Sequence, residues 1–366
     1  MADDYAAICR GAKYKLAGNG DRNVGMLLEA FDGADRQQMA DVYGVGALIN
    51  DFEEEVAELL GKPAAVFFPS GVMAQQIALR IWCDQAGVKR VAYHPTCHLE
   101  IHEEDGARQL HHLEPVLIGQ PDQLFVLDDL AALELPVACL LIELPQREIG
   151  GQLPSWDDLV AIAGYAHEAG MRVHMDGARL FEALPYYDKT AAQVCDLFDS
   201  VYVSFYKGIG GVAGAMLAGD ADFVAKAKVW KRRHGGDLIS LYPYVVSARH
   251  HMGKRIAKMR QYWQHAVQVA AAFNKMPGVH TVPQVPVCNM FHVYFDAPAP
   301  VVKDVLAGIV KRFGVSVAPG IRDVDEQHCM AELPFGDSFE QIPPDLLKEV
   351  LSSIEDVFKH GVHVSP

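Results

Sequence analysis

Short apolar runs alternate with longer stretches of mixed polarity through the middle of this chain. Ala64–Phe68 is wholly apolar, stops at Pro69 and predicts a strand. Residues 71–83 then place Met73, Ile77, Leu79 and Ile81 partly on one face, which predicts a helix. Further strands are predicted over 91–93, 139–144, 171–175, 201–205 and 212–217. Trp156–Glu168 reads as a helix with Ser155 as N-cap, Asp157 and Asp158 in its first turn, and Gly170 as the C-cap. Strand and helix in this alternation predict an α/β fold, a mostly parallel sheet covered on both faces. Such sheets hold ligands at the carboxyl ends of their strands.

Beyond residue 242 the pattern changes. Residues 243–275 read as one long helical stretch with Gly253 as its weakest point, and 287–295, 301–312, 315–318 and 346–358 suggest a small α+β unit. The proline-rich stretches 277–286 and 297–300 are turns. At 366 residues the chain has room for about two domains. The expected division is a large domain over 46–242, with 1–45 and 243–366 forming an N-terminal arm and a small C-terminal domain.

Composition narrows the function classes. The net charge, 32 basic minus 47 acidic side chains, is −15 and repels phosphate backbones, so no nucleic-acid partner is expected. The longest basic run, Lys231-Arg232-Arg233, is too short for a polybasic tail and reads as a solvated helix face. Seven cysteines without a CxxC pair suit a reducing compartment. The acidic start Met1-Ala2-Asp3-Asp4 lacks the order of a signal peptide, and no apolar run nears the ~18 residues of a membrane helix, so we expect a cytoplasmic protein without membrane contact.

Two segments carry most of the chemistry. In His174-Met175-Asp176-Gly177-Ala178-Arg179 an apolar run ends in an acid followed by small residues. Asp176 either holds a heterocycle's ring nitrogen protonated, as a pyridinium electron sink requires, or caps a helix beside a surface arginine. In Val201 to Gly211 a lone lysine, Lys207, stands where a strand gives way to glycines. It is either a poorly solvated, imine-forming amine or a surface lysine in a turn. An acid at one strand tip and a lysine at a later one match the needs of pyridoxal phosphate. Gly208-Ile209-Gly210-Gly211 also fits a loose dinucleotide fingerprint, but a strand-like run follows it where a helix is required.

Pro69-Ser70-Gly71-Val72-Met73 turns from strand to helix, so its backbone N–H groups can take an anion, with Ser70 or Ser204 adding a hydroxyl. The bland reading is an ordinary turn. His94, Cys97, His98 and His102 have spacing that could suggest zinc, but no HExxH pattern appears and no metal site is expected. One of these rings stacking on a planar cofactor is the preferred reading.

The sequence resembles the threonine aldolase and β-eliminating lyase group of fold-type I pyridoxal-phosphate enzymes. The likeness runs from about Asp41 through Leu238 and is carried by Pro69 to Met73, His98 with Glu103 to Ala107, Glu143 with Gly150-Gly151, His174 to Arg179, and Lys207-Gly208. The resemblance implies an aspartate-aminotransferase-like fold and places the cofactor-bearing lysine on Lys207. It puts the ring-nitrogen acid on Asp176 and the stacking histidine on His98. The cofactor cradle falls on Ser70, Gly71, Val72, Ala178 and Ser204, and a carboxylate or cofactor contact on Arg179. Arg232 is expected to reach a neighbouring subunit's site in a homodimer or homotetramer. The implied reaction is retro-aldol cleavage of a β-hydroxy-α-amino acid, with His98, a water it orients, or Glu103 as base.

Several positions depart from the family pattern. Val72 replaces a phosphate-loop threonine, and Tyr206 the serine before the lysine. Glu143-Leu144-Pro145-Gln146 lacks a second histidine, and Gly18-Asn19-Gly20 stands where Ser-Asp-Thr is usual. The C-terminal carboxylate-gripping arginine falls on Ala331, with Arg322 the nearest replacement. These changes touch substrate contacts more than cofactor contacts. They leave open β-elimination or transamination on the same cofactor, and a cofactor-binding protein without turnover.

Overall fold

The computed structural model describes residues 2–360, with side chains from Tyr5 onward; Met1 and 361–366, the extreme ends of the expected small domain, lie outside the described residues. The strands in chain order are β1 Tyr14–Lys15, β2 Ala64–Phe68, β3 Arg90–Tyr93, β4 Glu114–Leu117, β5 Cys139–Glu143, β6 Arg172–Gly177 and β7 Ser200–Ser204. They continue as β8 Ala215–Gly219, β9 Val279–Val282, β10 Met290–Phe295, β11 Val315–Ser316, β12 Ile321–Asp323 and β13 Cys329–Pro334.

The chain divides into two compact units: 22–148 with 153–257, and the remainder. Residues 22–45 and 243–257, which the sequence grouped with the small domain, join the larger unit. The reason is contact: the Val24–Asp32 helix packs against the Tyr242–Arg255 helix, and Asp41 accepts the Leu241 N–H at 2.8 Å.

The larger unit is built on a sheet of order β2-β8-β7-β6-β5-β3-β4, parallel except for β8, which runs against both of its neighbours. It is the mostly parallel α/β architecture of fold type I. β7 and β8 are buried along their whole length, as a sheet covered on both faces requires. On one face Val66 and Phe68 join a core with Ile77, Ile81 and Trp82 of the Gly71–Ala86 helix, and Trp82 stacks on Phe223 at 4.6 Å. On the other face Phe67 packs with Phe52 and Phe205, at centroid separations of 6.2 and 6.1 Å.

Register brings distant segments to one edge. Phe68 and Ser204 both pair with Ala215, so β2 and β7 end level with one another on either side of β8, while Asp176 pairs with Glu143 on β5 and Tyr202 on β7. Ser70, Glu143, Asp176, Ser204 and Lys207 therefore leave the sheet at the same carboxyl edge.

The smaller unit holds an antiparallel sheet of order β12-β13-β10-β9 and the parallel pair β1-β11. The amphipathic helices Ala299–Phe313 and Pro344–Lys359 pack on one another. Ala331, where the family pattern calls for an arginine, is fully buried on β13 between Val293 and Ile321.

The structure corrects three local expectations. The helical stretch breaks at a short 3-10 turn over Ile256–Lys258, not at Gly253, which is solvent-exposed and continues the helix at a cost of about 1 kcal/mol. Gly170 lies one residue past the cap, Ala169, with φ +78, where a left-handed residue ends a helix. β4 was not anticipated: it is an edge strand, and only an edge tolerates Pro115, which has no N–H to donate.

Candidate active site

Asp176 sits at the end of β6, 2% exposed. Burial pushes its carboxyl up from the ordinary range, while the Lys207 charge, the Ala178 N–H and His98 pull it back. Oδ1 accepts the Ala178 N–H at 3.0 Å, and Oδ2 accepts from Gln75 Nε2. Both contacts favour the ionised form. The bland reading, Asp176 as a helix cap beside a surface arginine, does not fit: Arg179 is the N-cap of the Leu180–Tyr187 helix and its side chain is only 12% exposed.

Lys207 follows β7, half-buried, and makes no hydrogen bond or ion pair among the described residues. Its loop is held by carbonyl capture. Arg22 donates to Tyr206 O at 2.7 Å, Gly211 O at 3.1 Å and Val212 O at 2.9 Å, while buried Arg255 donates to Ile209 O at 2.7 Å. Ser247 Oγ accepts the Val212 N–H at 3.1 Å. The loop is thus anchored through its backbone, and the amine stays available. A Cβ at Gly208 would strike the Glu182 carboxylate, so a side chain there would have to displace it.

The cradle starts at Ser70, N-cap of the Gly71–Ala86 helix, whose hydroxyl does not cap the first turn. That leaves the hydroxyl and the first-turn N–H groups of Gly71, Val72 and Met73 to meet an anion. Gly71 must lack a side chain because a Cβ would strike the Tyr202 hydroxyl. Ser204 is buried at the end of β7, with Oγ accepting the Tyr206 N–H at 3.4 Å.

His98 is braced from behind: Nδ1 lies 3.0 Å from Glu103 Oε1, and Glu103 Oε2 accepts from Gln76 Nε2 at 2.9 Å. His94 and His102 are occupied elsewhere, on Gln123 O at 2.8 Å and Glu148 Oε1 at 2.9 Å.

Arg179 pairs with buried Glu182 at 3.1 Å. Arg322 stands on β12 in the other unit, with Nε 2.8 Å from Met330 Sδ. Arg232 ends the Ala221–Arg233 helix with its guanidinium 5.6 Å from the Tyr43 ring and largely exposed.

Sequence reasoning did not assign Gln75, Gln76, Glu143 or Arg22. Two adjacent amides inside the apolar run Met73 to Leu79 were a usable signal, since both are buried. Glu143 accepts the Arg147 N–H at 3.1 Å, and burial first, then the Asp176 charge, pushes its carboxyl up to about 7.

The donor set suits pyridoxal phosphate: a buried acid for the ring nitrogen, an unengaged amine, open N–H groups at a helix start and a braced imidazole. Fold and site together define a fold-type I pyridoxal-phosphate enzyme. The β-eliminating lyase family model matches residues 32–297, and the chain belongs to that family of threonine aldolases and β-eliminating lyases.

A structure from Listeria monocytogenes, provisionally an L-allo-threonine aldolase, is 52% identical, covers 97% of this chain and 99% of its own, and superposes with a TM-score of 0.96. One from Exiguobacterium, provisionally an aromatic amino acid β-eliminating lyase or threonine aldolase, is 48% identical at the same coverage, with a TM-score of 0.94. Low-specificity L-threonine aldolase 1 of Arabidopsis thaliana is 26% identical over 65% of this chain and 69% of its own. The family implies a pyridoxal-phosphate-dependent lyase or aldolase reaction on an amino acid.

Proposed function

We propose that the protein cleaves a β-hydroxy-α-amino acid, such as L-threonine or L-allo-threonine, to glycine and an aldehyde. The observation that carries this reading is the 52% identity, across nearly the whole chain, to the Listeria protein provisionally assigned to that reaction. Bound pyridoxal phosphate supplies the electron sink for breaking the Cα–Cβ bond. Lys207 holds the cofactor and yields it to substrate. Asp176 keeps a proton at the ring nitrogen, and His98, fixed by Glu103, covers the ring. The Gly71–Ala86 helix start with Ser70, Val72, Ala178 and Ser204 forms the cradle. Arg179, steadied by Glu182, takes the substrate carboxylate, with Arg322 in a secondary role. His98, a water it orients, or Glu103 accepts the β-hydroxyl proton.

The protein is further proposed to be a cytoplasmic homo-oligomer, with Arg232 serving a neighbouring subunit. Seven buried free thiols support the first point. Exposed Val24, Leu28, Met39, Val42 and Val45 support the second, the last two lying beside exposed Ile239, whose carbonyl accepts the Tyr43 N–H at 3.1 Å.

The test is a panel of β-hydroxy amino acids given to the holoenzyme, with glycine, ammonia and keto-acid release measured separately. Stoichiometric glycine and aldehyde are expected. Ammonia with a keto acid would establish β-elimination instead, and a keto acid without ammonia, transamination.

A further inference from the structure

We propose that Trp82, Ser200, His174 and Gln75 form a one-way chain of hydrogen-bond donors that ends on Asp176 and holds its carboxylate ionised. This deepens the reading of Asp176 as the ring-nitrogen acid and rests on it.

The chain is built from three elements. Gln75 and Trp82, seven residues apart, face β6 from the same side of the Gly71–Ala86 helix. His174 and Asp176, two apart, share one face of β6, and Ser200 opens β7 beside them. All five side chains are at most 3% exposed, so no water competes for their hydrogen bonds.

Chemistry fixes every proton. Indole Nε1–H can only donate, so Ser200 Oγ, 2.8 Å away, accepts from Trp82. At the other end an ionised carboxylate can only accept, so the Gln75 amide turns its Nε2 to Asp176 Oδ2. The opposite orientation would set two oxygens against each other. The Gln75 carbonyl then faces His174 Nε2 at 2.7 Å, and a carbonyl only accepts, so Nε2 carries the hydrogen. Burial keeps this imidazole neutral, with its pKa pushed down to about 3. Nδ1 is therefore bare and takes the Ser200 hydroxyl hydrogen at 2.7 Å.

Such a chain answers a specific need. Burial, with Glu103 adding to it, drives Asp176 toward its neutral form. Lys207, the Ala178 N–H and His98 oppose this, and of these Lys207 and His98 are assigned to the cofactor. Glu143, paired with Asp176 from the neighbouring strand, is a further acid whose charge the buried site must accommodate. The Gln75 donor is a counterweight that no ligand removes, and His174 fixes the way it points. These four are positioning residues, acting on the cofactor only through Asp176.

The first measurement needs no cofactor, and a variant only to assign the signal. In cofactor-free protein labelled with 15N-histidine, the His174 ring, assigned by its loss in His174→Gln, should show a protonated Nε2 and a bare Nδ1 from pH 5 to 8. An Nδ1–H form or an imidazolium in that range overturns the proposal. The second measurement loads 15N-labelled pyridoxal phosphate. The wild-type ring nitrogen should be protonated. In Gln75→Met its signal should move toward neutral pyridine, because Asp176, left with only the Ala178 N–H, competes for the shared proton, and cofactor affinity should fall about tenfold. An unmoved signal sinks the chain alone, whereas an unprotonated wild-type ring sinks the reading of Asp176 itself. If Gln75→Met fails to fold, Ser200→Ala removes only one hydroxyl. It should leave His174 as the Nε2–H tautomer, which the Gln75 carbonyl alone dictates, and an Nδ1–H form there would count against the proposal.

Discussion

Gln75 and Gln76 are neighbours on one helix, turned about 100° apart, and they serve two networks of different character. The network from Gln75 runs inward through His174 and Ser200 to Trp82 and meets no solvent. The network from Gln76 runs outward. Glu103 links it to His98, whose ring lies 5.2 Å from that of His102, and His102 reaches Glu148, which Arg147 also holds at 2.7 Å. The inner network contains one neutral ring and one acid. The outer one contains two acids, an arginine and imidazoles open to water. A closed network can set where a proton stays, and an open one can let a proton leave. The inner one thus suits the electronics of the cofactor, and the outer one suits its position and the exchange of protons with substrate.

The largest effect should come from breaking the inner network at its functional end. Asp176→Asn keeps the shape but cannot hold a pyridinium proton electrostatically. We expect turnover to fall by roughly a thousandfold, about 4 kcal/mol of transition-state stabilisation, with the fold retained. Steady-state kinetics beside circular dichroism checks this. Undiminished turnover would remove Asp176 from the mechanism.

Breaking the outer network should cost less. Glu103→Gln removes the charge behind His98 and turns an amide nitrogen toward either His98 or the Gln76 Nε2 donor. A charged hydrogen bond of this kind is worth about 2–3 kcal/mol, so turnover should fall by up to about a hundredfold. The loss should be divided between cofactor affinity and turnover, because His98 is misplaced rather than removed. Cofactor titration followed by kinetics at saturation separates the two. If affinity is unchanged and all of the loss is in turnover, Glu103 is the base and not a brace.

How much of this was legible beforehand differs between the two networks. The Trp156–Glu168 helix could be read to its ends because Ser155 and Gly170 are local signals, and Ser155 Oγ does accept the Asp158 N–H at 3.1 Å. Asp176, Lys207 and His98 could be singled out because their motifs are contiguous in sequence. Gln75 could not, since its partner Asp176 is 101 residues away and the contact exists only once the helix packs on β6. His174 stood inside the motif but read as one more strand residue. Neither Arg22 nor Arg255 carried a local signal, because each acts on backbone carbonyls, which every sequence has.

Acid should expose the inner network next. His174 titrates near 6.5 when unfolded and is pushed down to about 3 by burial in the fold. Between those values the unfolded chain binds the extra proton, so stability is retained above pH 6.5 and lost as pH falls toward 3. From pH 7 to pH 5 this group alone should cost about 2 kcal/mol. Urea unfolding of cofactor-free protein at the two pH values should show a slope that His174→Gln reduces by close to one proton. An identical slope in the variant would mean that His174 is not buried neutral.

The smallest effect, that of Arg22→Ala, tests whether depth also sorts the two arginines on the Lys207 loop. Arg22 is exposed and donates to three loop carbonyls, whereas Arg255 is buried, with the Ile209 carbonyl and His251 among its partners. Its three carbonyl bonds favour Arg22 as the clamp, and its exposure counts against it. In Arg22→Ala, water can replace the lost donors at all three carbonyls, so the net cost should be about 1 kcal/mol. In Arg255→Ala the Ile209 carbonyl and His251, whose pKa burial pushes down to about 4, lose a partner that water cannot easily replace. That cost should be about 3 kcal/mol. Thermal unfolding of both variants gives the ranking. The rate of cofactor release then shows whether the loop has loosened: Arg22→Ala should release pyridoxal phosphate only about fivefold faster, with turnover at saturating cofactor nearly unchanged. If Arg22→Ala proves the more damaging of the two, the number of bonds outweighs their burial at this loop. The contrast between inner and outer networks would then have to be argued from connectivity, not from depth.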